Sequence, residues 1–265
     1  MATGIGRASQ AEAATTDIDV GILNFALNLE YLEGEYYNRG VTGSGLSNIG
    51  APGTVIGGSP VPFNNSALQK LFANIALDET NHVAFLRSAL GTAAVPEPNI
   101  DFTNTFLSLG QAIGLPGFNP FADELSFLLG AYVFEDIGVT AYNGAAPLVT
   151  NKTYLGAAAS ILAVEAYHAG AIRSALYQAN YAVYTDRISA IRAALSGTGP
   201  GTSTPSDDVG DDGAGGIVSL APTDSNSLAF ARTPEQVLAI VFAGGATSGG
   251  FFPNGIQGMF TSSAA

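Results

Sequence analysis

The chain has 265 residues, with 22 acidic against 9 basic side chains for a net charge of −13, and only 12% of its residues are charged. An acidic balance of this size argues against nucleic acid as a partner, which needs a basic face, and against docking on anionic membranes. Cysteine is absent, which excludes disulfides, thiolate metal sites and thiol nucleophiles. At 47% hydrophobic residues the chain can build a large core, as one large domain or one domain plus an elaboration.

In chain order, residues 1–16 read as an N-terminal tail. A first helix is expected from about Asp19 to Arg39, capped by Asp17 or Asp19 and ended by Gly40. Residues 40–65 are rich in Gly and Pro and read as a long loop. A second helix runs from about Ser66 to Leu90, stopped by Gly91. A short helix over Thr103 to Ile113 precedes the breaker LPGFNP. A third long helix covers about Ala122 to Asn143, a fourth Lys152 to Tyr181 and a fifth Tyr184 to Leu195. Residues 196–227 read as a loop excursion, Pro234 to Phe242 as a last short helix, and the tail as irregular. The expected domains are a helical bundle over 17–196 and a loop-rich extension over 197–265 that packs on it. No apolar run reaches about 18 residues without a polar interruption, so no membrane insertion is expected. The first residues contain no apolar stretch of the kind a signal peptide needs. Scarce Lys with abundant Gly, Ser, Thr and Asn favours an extracytoplasmic or extracellular location.

The chemistry concentrates in very few residues. The chain has two histidines, and each follows a glutamate by three positions: Glu79–His82 and Glu165–His168. That spacing puts both side chains on one face of a helix. Both faces are otherwise apolar: Leu68, Phe72, Ile75, Glu79, His82, Leu86 on the second helix, and Ile161, Glu165, His168, Ile172, Ala175 on the fourth. The third helix carries Glu135 in the stripe Leu125, Leu128, Tyr132, Glu135, Val139, Tyr142. The first carries Glu30 in Leu23, Leu27, Glu30, Gly34, Tyr37, with Glu33 as a rival in the equally apolar Ile22, Ala26, Leu29, Glu33, Tyr36. Glu35 and Asp136 read as solvated-face residues, and Tyr31, Tyr36, Tyr37, Tyr132 and Tyr167 as core or interface residues.

A carboxylate on an inward-facing stripe must be protonated, paired or metal-bound, because burying it alone costs several kcal/mol. Four helices offering Glu, Glu-x-x-His, Glu and Glu-x-x-His form the ligand set of bundles that hold two iron or manganese ions. Carboxylates bridge and neutralise hard cations, and one imidazole per metal favours iron or manganese over calcium or magnesium. Asp207, Asp208, Asp211 and Asp212 form an acidic loop whose spacing misses the EF-hand pattern.

The segments ILNFALNLEYLEGEYY (22–37), FEDIGVTAYNGAAP (134–147), LAFARTPEQVL (228–238) and GGFFPNGIQG (249–258) resemble those of the desiccation-related protein family with a ferritin-like domain. The resemblance runs from about residue 17 to 260. It implies an all-α, ferritin-like antiparallel four-helix bundle with long loops and an irregular C-terminal extension. It favours Glu30 over Glu33, since Asn28-Leu-Glu30 matches the ferritin-type position, so the expected metal ligands are Glu30, Glu79, His82, Glu135, Glu165 and His168. The cofactor expected is a pair of Fe or Mn ions, with Fe slightly favoured. The expected function is desiccation or oxidative-stress protection through ferroxidase-like or manganese-catalase-like chemistry. The alternative is a structural, self-assembling surface or matrix protein, to which scarce charge and the FFP segment would suit. A homo-oligomer or higher assembly is expected in either case.

Overall fold

Helices dominate the computed structural model, which describes residues 5–197, 210 and 218–264, with side chains from residue 18 onward. The helices are α1 (Ile5–Thr42), α2 (Ser66–Leu90), α3 (Phe102–Ile113), α4 (Glu124–Ala145), α5 (Lys152–Gln178), α6 (Ala182–Ser196) and α7 (Pro234–Val241). The acidic loop of Asp207, Asp208, Asp211 and Asp212 lies outside the described residues. α1 packs along α2, α4 packs along α5, and α1 meets α4. These four helices form the ferritin-like bundle. The crossover from α2 to α4 carries α3 and the strand β2 (Ile100–Asp101), which pairs in parallel with β1 (Val55–Ile56) in the α1–α2 loop.

Local chemistry explains most helix starts. Asn65 accepts hydrogen bonds from the Ala67 and Leu68 amides, Asp123 from Leu125 and Ser126, and Asn151 from Thr153 and Tyr154. Thr233 and Gln236 close a reciprocal capping box at α7. Each such cap contributes about 1 kcal/mol.

α1 departs from its predicted limits at both ends. Asp19 is not its cap; it is buried inside the helix and accepts from the Thr150 amide (2.7 Å), the Thr150 hydroxyl (2.8 Å) and the Asn151 amide (3.0 Å). It therefore pins the start of α5 to α1. Gly40 does not end the helix either. A methyl group there would lie 2.2 Å from Cζ of Phe127, so this glycine lets α1 and α4 approach each other. The helix ends at Thr42, before Gly43 at φ +80°. α5 stops earlier than expected, ahead of Asn180 at φ 62°.

Rings of Tyr36, Phe72, Phe102, Phe106, Phe121, Phe127, Phe134 and Phe251 fill one end of the bundle in edge and stacked contacts. Phe251 and Phe252 of the FFP segment are both buried, so that segment is core and not a sticky surface. The same tail reaches α1, where the Asn28 side-chain amide donates to the Gln257 carbonyl at 2.9 Å. By length and composition alone α4 and α5 are each long and apolar enough to span a membrane, although polar residues such as Glu135 and Glu165 interrupt both. For α4 the reason is burial on nearly all sides in the core. α5 turns Glu165, His168 and Arg173 inward while much of its outer surface stays exposed.

Candidate metal centre

Two turns of helix separate Glu30 from Tyr37 on α1, and the same seven residues separate Glu135 from Tyr142 on α4. α2 and α5 each carry Glu-x-x-His. The bundle is thus built from two similar halves, and each tyrosine crosses to the opposite half. Tyr37 donates to Glu135 Oε1, and Tyr142 donates to Glu30 Oε1. Burial, reinforced by the neighbouring carboxylates, holds both phenols well above their usual pKa, so they are donors.

The four glutamates Glu30, Glu79, Glu135 and Glu165 are buried together with His168, and His82 is largely buried. Glu79 lies between the histidines: its Oε2 is 3.1 Å from His82 Nδ1 and its Oε1 is 3.1 Å from His168 Nδ1. Glu30 Oε2 is 3.3 Å and Glu165 Oε1 3.7 Å from His82 Nδ1, while Glu135 Oε2 is 3.4 Å from His168 Nδ1. The outer nitrogen of His168, Nε2, meets Asp78 Oδ2 at 3.2 Å. Side-chain oxygens and nitrogens of Glu30, Glu79, His82 and Glu165 that could ligate a metal lie within 4.8 Å of one another, as do those of Glu79, Glu135, Glu165 and His168. Glu79 and Glu165 are common to both groups.

The electrostatics are those of a crowded acidic interior. Burial and the Glu79 charge push Glu30 up to about 8. Burial raises Glu79 too, but its contacts with His168 and His82 outweigh that and pull it down to about 2. Burial and neighbouring carboxylates raise Glu165 well above the ordinary carboxylate range, and burial raises Glu135. Burial lowers both imidazoles, yet Glu30 and Glu79 hold His82 at about 10, and Glu135 and Glu79 hold His168 at about 11. Even so, Glu30 Oε2, Glu79 Oε1, Glu135 Oε2, both Glu165 oxygens and His168 Nδ1 are buried with no aligned hydrogen-bond partner. Buried polar atoms are rarely left this way, and six converging on one space fit a cation better than they fit each other.

Glu33, the rival of Glu30 on α1, is buried as well, and burial with the charges of Glu79, Glu135 and Glu30 raises it well above the ordinary carboxylate range. Two neighbours depart from their sequence reading. Asp136 is not on a solvated face. It is buried and binds Arg173 through both oxygens (2.9 and 2.8 Å) and Arg192 at 2.9 Å, and both guanidiniums lie over the Tyr132 ring. Glu35 is buried too, accepting from Arg39 Nε at 2.5 Å and the Leu46 amide at 2.6 Å. Tyr31, Tyr36, Tyr37 and Tyr132 are core residues, whereas Tyr167 is 79% exposed. Tyr37 and Tyr142 were legible as partners only through the paired seven-residue spacing.

Residues 18–178 match the family model for the ferritin-like domain. The chain is 30% identical to ferritin-like catalase Nec2 of Nesocodon mauritianus over 91% of its own length and 84% of that protein. It is 31% identical to desiccation-related protein PCC13-62 of Craterostigma plantagineum over 83% of its own length and 76% of that protein.

Proposed function

Because the chain belongs to the ferritin-like domain family, we propose that its buried glutamates and histidines hold two redox-active ions, iron or manganese, that act on peroxide or dioxygen in desiccation or oxidative-stress protection. The observation that carries this reading is the pair of overlapping groups, Glu30, Glu79, His82 and Glu165 and Glu79, Glu135, Glu165 and His168, whose buried oxygens and nitrogens converge while six of those atoms lack an aligned hydrogen bond. Glu79 and Glu165, common to both groups, would be shared between the ions, and Glu30 with His82 and Glu135 with His168 would hold the two ends. The name of the Nesocodon relative makes peroxide the first substrate to test. When bound, the ions would supply two-electron exchange with peroxide or, as ferrous iron, give up electrons to dioxygen or peroxide. The protein's own part is positional. Tyr37 and Tyr142 each occupy one oxygen of a terminal carboxylate, leaving the other for a cation. Asp78 orients the His168 ring through its outer nitrogen, as carboxylate partners of ligating histidines do.

The test is to purify the protein without chelators or a histidine tag and measure bound metal by plasma mass spectrometry. The expected result is about two iron or manganese ions per chain, absent from a Glu79→Ala/Glu165→Ala variant, with peroxide breakdown that follows the metal. An absence of bound metal even after anaerobic ferrous loading would overturn the reading.

A second reading, self-assembly, is favoured by Leu77 (58% exposed) and Phe85 (46%) on α2 and by Tyr167 (79%) on α5. Large apolar side chains exposed on the outer faces of α2 and α5 suit a second copy of the chain. With a net charge of −13, association should strengthen with added salt, since screening removes like-charge repulsion. A monomeric mass by light scattering from low to high salt would count against it.

A further inference from the structure

We propose that Glu33 is a further carboxylate ligand of the centre, reaching it across the space that Gly138 leaves open; this rests on the dinuclear reading above. The two-halved build sets the expectation. Each long helix carries a glutamate and, three residues on, a second position on the same face. On α2 and α5 that position is a histidine. On α1 it is Glu33 and on α4 it is Gly138, so the halves differ at this one pair.

The difference is complementary. A methyl group at Gly138 would lie 2.1 Å from Glu165 Oε2 and 3.5 Å from Glu33 Oε1. Both carboxylates therefore border the space where an α4 side chain would stand. Glu33 is only 4% exposed, and among the described residues no hydrogen bond or ion pair reaches its carboxylate. A carboxylate in that position needs a cation or a proton. Among the described residues the cationic side chains in the cluster, His82 and His168, are already engaged by Glu30, Glu79, Glu135 and Glu165. A metal ion next to Glu165 would supply the missing counter-charge.

The experiment uses cobalt(II) as a spectroscopic probe on the full chain, comparing wild type with Glu33→Gln and Glu33→Asp. Visible absorption reads the coordination of the bound ion, calorimetry reads affinity, and mass spectrometry reads stoichiometry. Wild type and Glu33→Gln should both take up about two ions per chain. In Glu33→Gln the affinity of at least one ion should fall about tenfold or more. Its absorption bands should change in position and intensity as one ligand is lost, and Glu33→Asp should fall between the two. Thermal unfolding of the metal-free variants reports that they are folded; if Glu33→Gln does not fold, Glu33→Asp is read in its place. A Glu33→Gln spectrum superimposable on wild type overturns the ligand assignment while leaving the dinuclear reading intact, even if affinity falls. Wild type that takes up no cobalt, or a Glu79→Ala/Glu165→Ala control that still takes up two, overturns the dinuclear reading itself and this inference with it.

Discussion

Gly138 is a residue whose value lies in what it omits. Adding a methyl there pushes against the tip of Glu165, a flexible side chain, and not against backbone. Ala is the better helix former by about 1 kcal/mol. Gly138→Ala should therefore leave the metal-free fold as stable as before or more so, and lower metal affinity about tenfold by displacing a shared carboxylate. Thermal unfolding and metal titration together check this, and a variant that binds metal like wild type would show that Glu165 is not a ligand. Asp136 gives the opposite pattern. Burial would raise its pKa, but Arg173 and Arg192 outweigh it and hold the carboxylate charged. Asp136→Ala removes the carboxylate that two buried guanidiniums share, leaving Arg173 to the Ser219 carbonyl and Arg192 to the Tyr132 carbonyl among their contacts, and should cost up to about 3–5 kcal/mol in denaturant unfolding. A loss below about 1 kcal/mol would mean that the two arginines find other partners. The Glu-x-x-His pairs were legible in the sequence because a charge inside an apolar stripe is conspicuous. Asp136 and Glu35 were misread because α1 and α4 are buried on nearly all sides there, so neither helix has a wet face to receive them.

Elements were legible where their ends are chemical. α2 has the limits that Asn65 and Gly91 suggest, and α3, α4 and α6 begin and end within two residues of expectation. α1 was not, because Gly40 has two possible meanings. A glycine ends a helix when the chain needs a left-handed turn, and it sits inside a helix when another element presses close. The Phe127 ring at 2.2 Å from a notional Cβ decides for the second. Gly40→Ala should then destabilise the fold by about 1–3 kcal/mol through overpacking, despite its better helix propensity. Urea unfolding checks the sign: a gain in stability would mean that α1 and α4 are less closely packed than described. The β1–β2 pair could not have been read at all, since two-residue strands leave no alternation to detect.

At the scale of the molecule, the bundle and its acidic interior make a prediction about pH. In the metal-free protein His82 is held at about 10 and His168 at about 11, against 6.5 unfolded, and Glu30 at about 8, against 4.5. A group raised on folding contributes its stability below the unfolded pKa and loses it as pH rises through the folded one. The histidine contributions therefore fade from about pH 6.5 upward, and the Glu30 penalty has already grown from about pH 4.5. Glu79, pulled down to about 2, works the other way: its contribution is present above 4.5 and is lost as pH falls toward 2. The metal-free bundle should thus be most stable in mildly acidic solution and weaken steadily into alkali. Metal binding displaces the same protons, so affinity rises with pH. The gain in Tm on metal loading should accordingly be larger at pH about 8.5 than at pH about 6. Thermal melts of both forms across this range measure it. Parallel curves would mean that the ions bind away from the histidines, because only ligands that exchange protons for metal couple the two equilibria.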